Sequence, residues 1–328
     1  MTQEIRIGII GYGNIGRAVE MAVKQNPDTV CAGIYTRREP SKLETYYPET
    51  LVFPLEEAQK HAGGIDVAIL CGGSATDLPE QGPRLAALFN TVDSFDTHAR
   101  IPEYYAAVDR AAREAGTTAV ISTGWDPGLF SLMRVIEDSV LPVGESYTFW
   151  GPGVSQGHSD AIRRVEGVTD ARQYTIPVDK AVDAVRRGEA PKFTSREKHF
   201  RDCYVVAEEG ADLDRIEKEI TSMPYYFSDY DTRVTFISRD EMREKHATMP
   251  HGGFVMRTGA DDAGNRSIIE FSLKLASNPG FTATVLVAYA RAAWRLNGEG
   301  KTGALTVFDI APAYLSARTR EELIKNEL

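Results

Sequence analysis

The run IRIGIIGYGNIGR (residues 5–17) constrains this chain more than any other. An apolar, strand-like stretch leads directly into Gly11, Gly13 and Gly16, spaced GxGxxG, and the helix-like stretch RAVEMAVKQ follows. Each glycine has a task in that context. Gly11 permits a tight turn, Gly13 lets the backbone approach a pyrophosphate, and Gly16 lets helix and strand pack closely. The helix N-terminus then aims its free N–H groups at the anion. Alone the hexapeptide is a weak signal; between a strand and a helix, with another strand to come, it specifies a dinucleotide turn. Gly11, Tyr12, Gly13, Asn14, Ile15 and Gly16 are the expected cofactor-binding residues of that turn.

The first 125 residues repeat the strand–helix theme. TVCAGIYT (29–36), IDVAILCGG (65–73) and TTAVIST (117–123) are apolar on both faces, as parallel strands covered by helices are. IPEYYAAVDRAAREAG reads as a helix stopped by Gly116. The expected fold class is therefore α/β, a Rossmann-type doubly wound parallel sheet. From about residue 145 the pattern changes. YTFWGPG, RQYTIPV and CYVVAEE suit an antiparallel sheet in a second, α+β domain. PGFTATVLVAYARAAWRL reads as a helix opened by Pro279, which suits a return to the first domain. At 328 residues the chain has room for two domains.

The end of the second strand selects the nucleotide. Twenty residues after Gly16, where an acid would accept from a ribose 2′-OH and repel a 2′-phosphate, stand Thr36, Arg37 and Arg38. The hydroxyl and two permanently charged forks suit a phosphate. A hydrogen bond to a charged group is worth roughly 1.5–3 kcal/mol, or roughly a tenfold to hundredfold preference. NADP(H) is thus the expected cofactor; Glu39 dissents, but three positions too late for the ribose role. At the end of the next apolar run, Gly72, Gly73, Ser74 and Thr76 of CGGSATD are expected along the pyrophosphate or nicotinamide path, because ligands of such sheets bind at the strands' carboxyl ends. The Glu-Lys-Pro of sugar dehydrogenases is missing there.

Acids gather where the later strands end: Asp93 and Asp96 in VDSFD, and Asp126 in STGWDPG. Facing the nicotinamide, such carboxylates suit an ammonium-bearing substrate. Asp126 also has a local reading, as a cap for the helix GLFSLMRVIEDSV. The second half offers the opposite charge. Arg201 and His251 suit a carboxylate, and Gly151, Gly153 and Gly157 of WGPGVSQG would expose backbone N–H groups.

Other classes recede. Net charge is −10 without a dense basic cluster, which argues against nucleic acid. No 18-residue apolar run exists to span a membrane. The N-terminus lacks a basic region and cleavage site, so a cytoplasmic location is expected. The three cysteines lack metal-site spacing. Two of them, Cys31 and Cys71, lie in apolar runs and are expected to be buried and inert. No HExxH, Cys–His dyad or GxSxG points to metal-assisted or nucleophilic catalysis.

Five segments together, GYGNIGR, CGGSATDLPEQ, STGWDPGLFS, FWGPGVSQGHSDAIRR and MPHGG, resemble the meso-diaminopimelate D-dehydrogenase family, and the similarity runs in order to KTGALTVFDIAP. The resemblance implies an NADP-dependent homodimer of lysine and diaminopimelate biosynthesis. Such an enzyme interconverts meso-2,6-diaminopimelate with L-2-amino-6-oxopimelate and ammonia. It also implies a dinucleotide domain of residues 1–124 and 278–328, and a substrate and dimerisation domain of 125–277. Carried over by motif, Asp96 and Asp126 flank the reactive D-centre amine, with Trp125 and Trp150 as walls. Gln156, Gly157 and Asp160 match the family's substrate loop. Thr175, Arg201 and His251 would hold the distal carboxylate, and Asn278 is a further polar contact. A non-catalytic NADP(H) sensor, or a reductase of a related semialdehyde or imine, is the alternative.

Overall fold

The computed structural model describes residues 4–328. The chain divides into two compact units, Met1–Leu132 with Pro279–Leu328, and Met133–Asn278. The first break falls inside a helix, further along than the expected 124/125, so Trp125 and Asp126 belong to the first unit.

In the first unit, strands β1 (Ile5–Ile10), β2 (Thr29–Thr36), β3 (Val52–Pro54), β4 (Val67–Leu70), β5 (Asn90–Asp93) and β6 (Thr118–Val120) join a closing strand, Gly303–Leu305. All are parallel, in the order closing strand, β6, β5, β4, β1, β2, β3. The order reverses at β1, between β2 and β4, and that reversal opens a crevice at the strands' carboxyl ends. Side chains alternate across the sheet. Ile5, Ile7 and Ile9 share a core with helix α1 (Asn14–Gln25) and the long helix Asn278–Gly298. Ile10, Ala68 and Leu70 share another with α2 (Leu78–Ala86) and α3 (Ile101–Ala115). The long helix is tied to the β1–β2 side by Arg291, whose buried guanidinium grips Asp28 through two bonds of 2.6 Å. Gly116 ends α3 in the left-handed conformation (φ 73°), as expected. The helix α4 (Leu129–Val140) leads into the second unit.

The second unit departs from a single antiparallel sheet. Its strands are β7 (Gly144–Trp150), β8 (Gly153–Val154), β9 (Val168–Pro177), β10 (His199–Ala207), β11 (Asp231–Phe236), β12 (His251–Ala260) and β13 (Arg266–Leu275). They form two sheets, β11–β10–β9–β8 and β13–β12–β7. Pairing is antiparallel except between β10 and β11, which are parallel. The helix Leu213–Thr221 lies between them as a crossover, which is what a parallel pair needs. Helix α5 (Gln156–Arg163) follows β8. Of the cysteines, Cys203 is buried, whereas Cys31 and Cys71 are half-buried. Among the described residues no helix is long and apolar enough to cross a membrane, and no cluster of His, Cys, Asp and Glu can hold a metal ion.

Candidate active site

The crevice beside β1 is lined by Gly11, Tyr12, Gly13, Thr36, Arg37, Arg38, Gly72 and Gly73. A Cβ on Gly16 would lie 2.2 Å from the Gly11 carbonyl oxygen, so only glycine lets α1 start against β1. At Gly13 the reverse holds: nothing lies within 4 Å of a Cβ, which leaves room for a pyrophosphate against the backbone. Asn14, Ile15, Gly16, Ser74 and Thr76 lie outside the lining. The first three form the opening of α1, and the Ser74 hydroxyl instead accepts the Asp96 N–H at 3.1 Å.

The cations at the rim are held in place. Arg37 Nη2 is 2.8 Å from Asp77 Oδ1, and Asp77 Oδ2 accepts the Gly73 N–H at 3.0 Å. The Arg38 guanidinium donates to the Tyr12 carbonyl, and the Tyr12 hydroxyl donates to the buried Glu20 carboxylate. Burial, and then Glu20, push the Tyr12 phenol up to about 12. Thr36 Oγ1 accepts the Arg38 N–H at 3.1 Å, which leaves its own O–H to donate. Each guanidinium retains further N–H groups, so this donor set fits the 2′-phosphate of NADP. Asp77, Gln81, Leu55 and Tyr35 also line the crevice and were not expected there. Packing brings in Leu55, whereas Asp77 and Gln81 lie in the segment CGGSATDLPEQ and Tyr35 near the end of β2.

The acids at the far strands separate into two kinds. Asp93 is 1 % exposed and its carboxylate is consumed within the fold, which overturns its expected place facing the nicotinamide. It accepts from the Tyr104 hydroxyl at 2.6 Å and from the N–H groups of Phe95 and Ser122 at 3.0 Å. Burial holds its carboxyl above the usual carboxylate range. Asp96 is exposed and Asp126 half-buried, on the loops that follow β5 and β6. After Asp126, the first N–H groups of α4 go to main-chain carbonyls: Leu129 to Gly124 at 3.0 Å and Phe130 to Trp125 at 2.8 Å. Trp125 is buried edge-on against Phe130, with ring centroids 5.3 Å apart.

In the second unit, strand pairing assembles a cationic cluster. Thr175 stands opposite Arg201 across β9 and β10, and opposite Gly153 across β9 and β8. Arg201 is 6 % exposed. Its guanidinium donates to Thr175 Oγ1 and lies over the Tyr230 ring, 3.9 Å from the centroid, while Nε has no hydrogen-bond partner. A buried guanidinium with one unpaired N–H suits an anion, since leaving a buried donor unpaired is costly. A Cβ on Gly153 would sit 2.5 Å from His251 Cα, so glycine brings His251 into the same row. His158 is pushed down to about 4 by burial and then by Arg201, which keeps the ring neutral near that cation.

The remaining expected residues meet at one segment or stay at the surface. Gln156 Nε2 donates to Met249 Sδ at 3.5 Å, and the Asn278 N–H donates to the Met249 carbonyl at 3.0 Å. The main chains of Gly151 and Val154 are tied to Gly252 and Pro250 at 2.7 and 2.8 Å. Gly157 is exposed, and the exposed Asp160 accepts from Arg163, one turn along α5. Trp150 is exposed and its ring stacks on His199, with centroids 5.5 Å apart, and its main-chain N–H donates to His199 Nε2 at 2.9 Å. His199 opens the polar stretch HFRDC (199–203) but was not itself expected at the site. Burial, and then Lys198 and Arg201, push it down to about 3, so it accepts that bond as a neutral ring.

Residues 124–277 match the family described as the diaminopimelic acid dehydrogenase C-terminal domain. The whole chain is 59 % identical over 325 residues to the meso-diaminopimelate D-dehydrogenase of Ureibacillus thermosphaericus, with 99 % of each covered. The solved Corynebacterium glutamicum DAP dehydrogenase in complex with DAP is 46 % identical, with a TM-score of 0.92 and 100 % of each chain covered. An engineered D-amino acid dehydrogenase bound to NADP+ is 44 % identical, with a TM-score of 0.87 and 99 % of this chain and 100 % of that one covered.

Proposed function

This chain belongs to the meso-diaminopimelate D-dehydrogenase family, and from that membership we infer its reaction: reversible NADP-dependent oxidative deamination of the D-centre of meso-2,6-diaminopimelate. The products are ammonia and L-2-amino-6-oxopimelate, which cyclises to tetrahydrodipicolinate, a step of diaminopimelate and lysine biosynthesis. The observation that carries the substrate reading is Arg201, a buried guanidinium with an unpartnered Nε beside Thr175. A carboxylate of the substrate's distal L-centre would satisfy it, with His251, Gln156 and Asn278 around the remainder.

When bound, NADP+ supplies the hydride acceptor. The chain's share is to hold the D-centre amine neutral and aligned. Asp96 and Asp126 do so by accepting from it, and one of them takes its proton. Hydride loss from Cα leaves an imine; water adds to it, the C–N bond breaks and ammonia departs. Trp125 and Trp150 limit solvent around the amine, Gly157 and Asp160 contribute from the α5 loop, and Ser74 and Thr76 act from the loop after β4. We also infer a homodimer, supported by the exposed apolar side chains of Val135, Ile136 and Val140 on α4, and a cytoplasmic location.

Absorbance of NADPH tests the reaction with NADP+ and meso-diaminopimelate, repeated with NAD+ and with the L,L isomer. Reduction confined to NADP+ and the meso compound is expected. Asp126→Asn should cut turnover by roughly 10²–10⁴-fold while NADPH still binds; unchanged turnover would remove Asp126 from the mechanism. Light scattering checks the dimer.

A further inference from the structure

We propose that Asp93 is a positioning residue for this dehydrogenation: its buried carboxyl holds in register the two loops that carry Asp96 and Asp126. The proposal rests on the reading of those two acids as the groups that face the amine. Asp93 ends β5 and is 1 % exposed, so it cannot itself meet a substrate. Oδ1 accepts from Phe95 N–H and from Ser122 N–H, both at 3.0 Å, and Oδ2 accepts from the Tyr104 hydroxyl at 2.6 Å. The Asp93 main-chain carbonyl takes a fourth bond, from Thr123 N–H at 2.8 Å. One residue thus ties the end of β5, the end of β6 and α3 together.

Each arm leads to a candidate acid. On the β5 arm, the Phe95 N–H is held by the carboxylate and its ring stacks on Tyr104, with centroids 4.1 Å apart and planes 15° from parallel. Asp96 is the next residue, and its N–H is already bonded to Ser74. On the β6 arm, Ser122 has φ 54°, a left-handed conformation that a non-glycine residue keeps only when its surroundings impose it. The Ser122 hydroxyl has no hydrogen-bond partner, so it does not impose the bend. The N–H bond to Asp93 does, and the bend turns the chain from β6 into Gly124, Trp125 and Asp126. Two carboxylates on separate loops must converge on one amine, and a displacement of about 1 Å can cost roughly a hundredfold in rate.

The test is steady-state kinetics of Asp93→Ala, Asp93→Asn and Tyr104→Phe with NADP+ and meso-diaminopimelate, beside NADPH binding by fluorescence and thermal melting. In Asp93→Ala we expect kcat to fall roughly a hundredfold, with NADPH affinity within about threefold of the parent, because the crevice beside β1 does not use Asp93. An asparagine oxygen accepts both N–H groups and its NH₂ can donate to the Tyr104 oxygen, so Asp93→Asn should recover most of the lost turnover. A folded Asp93→Ala with parental kcat overturns the proposal. So does Asp93→Asn as slow as alanine, since charge rather than geometry would then matter. If alanine prevents folding, Tyr104→Phe decides: it keeps the carboxylate and the ring stack, and should lower kcat several-fold more than it changes NADPH affinity. Parental kcat there overturns the proposal too. Asp96→Asn and Asp126→Asn separate the two readings. If both keep full turnover, the amine-facing reading fails and Asp93 falls with it; if they are slow while Asp93→Ala is not, only the positioning role fails.

Discussion

The crevice in the first unit and the cationic cluster in the second are built on opposite plans. The crevice is built from short consecutive runs, 11–13, 36–38 and 72–73, in which glycine main chain lies beside the side chains of Thr36, Arg37 and Arg38. The cluster is made of side chains: register pairs Thr175 of β9 with Arg201 of β10, and His251, on β12 of the other sheet, comes near through the close approach at Gly153. Main-chain sites tolerate most side-chain changes and fail at glycines. Side-chain sites fail when one charged group is removed, because its buried surroundings have no substitute.

The largest break should therefore come from Arg201→Met. Removing one member of a buried charge contact costs roughly 2–5 kcal/mol, or about thirtyfold to several thousandfold. Most of it should appear in kcat/KM for meso-diaminopimelate, with NADPH affinity at the parental value. A parallel loss of NADPH affinity would show that the two regions are not separable and that Arg201 serves the fold. Next in size is Gly16→Ala. The added methyl meets the Gly11 carbonyl, a main-chain atom that cannot swing away, and overpacking of this kind costs typically 1–3 kcal/mol. Titration with NADPH should show roughly tenfold to hundredfold weaker binding. Parental affinity would mean that α1 shifts freely and that the glycine spacing is not what shapes the turn.

That contrast explains what could be read from the chain. The glycine spacing, the apolar runs of β1, β2 and β4 and the stop at Gly116 are local, and each has one physical meaning in its setting. Thr36, Arg37 and Arg38 were legible as a phosphate corner for the same reason, but Asp77 was not. It comes from the start of α2 and takes one face of Arg37. Asp93 and Asp96 look alike in VDSFD; only packing separates a buried latch from an exposed acid. Thr175 and Arg201 lie 26 residues apart and become partners through register. Tyr230 and His199, which hold Arg201 and Trp150, lie outside any motif. Arg201, His251 and Gly153 stand out by residue type, but only the family resemblance adds Thr175 to them, because register is a property of the whole sheet.

A smaller effect belongs to Arg37→Ala. The side chain is 66 % exposed and already shares its charge with Asp77, so the discount for solvent is large. Loss of about tenfold in the preference for NADP+ over NAD+ is expected, near the lower end for a charged hydrogen bond. Enzyme kinetics with both nucleotides measures it. An unchanged ratio would leave the phosphate to Arg38 and Thr36.

The gentlest way to part the two regions is acid. His199 and His158 are pushed down to about 3 and about 4 in the folded chain, chiefly by burial, from an ordinary value near 6.5. A histidine with a lowered folded value contributes stability that is complete above its unfolded value. That contribution is lost as pH falls from about 6.5 towards the folded value, because the unfolded chain takes up the proton first. At pH 5 the loss is about 2 kcal/mol for each such group. Both histidines are in the second unit, beside Trp150 and Arg201, and no histidine lines the crevice beside β1. Glu137, which burial pushes up to about 7, acts in the opposite direction over this range, so the readout is a difference between variants. From pH 7 to pH 5 His199→Gln, which can still accept the Trp150 main-chain N–H, should lose less melting temperature than the parent. Over the same range KM for meso-diaminopimelate should rise before NADPH affinity weakens. If NADPH affinity falls first, or if His199→Gln leaves the slope unchanged, the neutral ring beneath Trp150 is not what makes this region the acid-sensitive one.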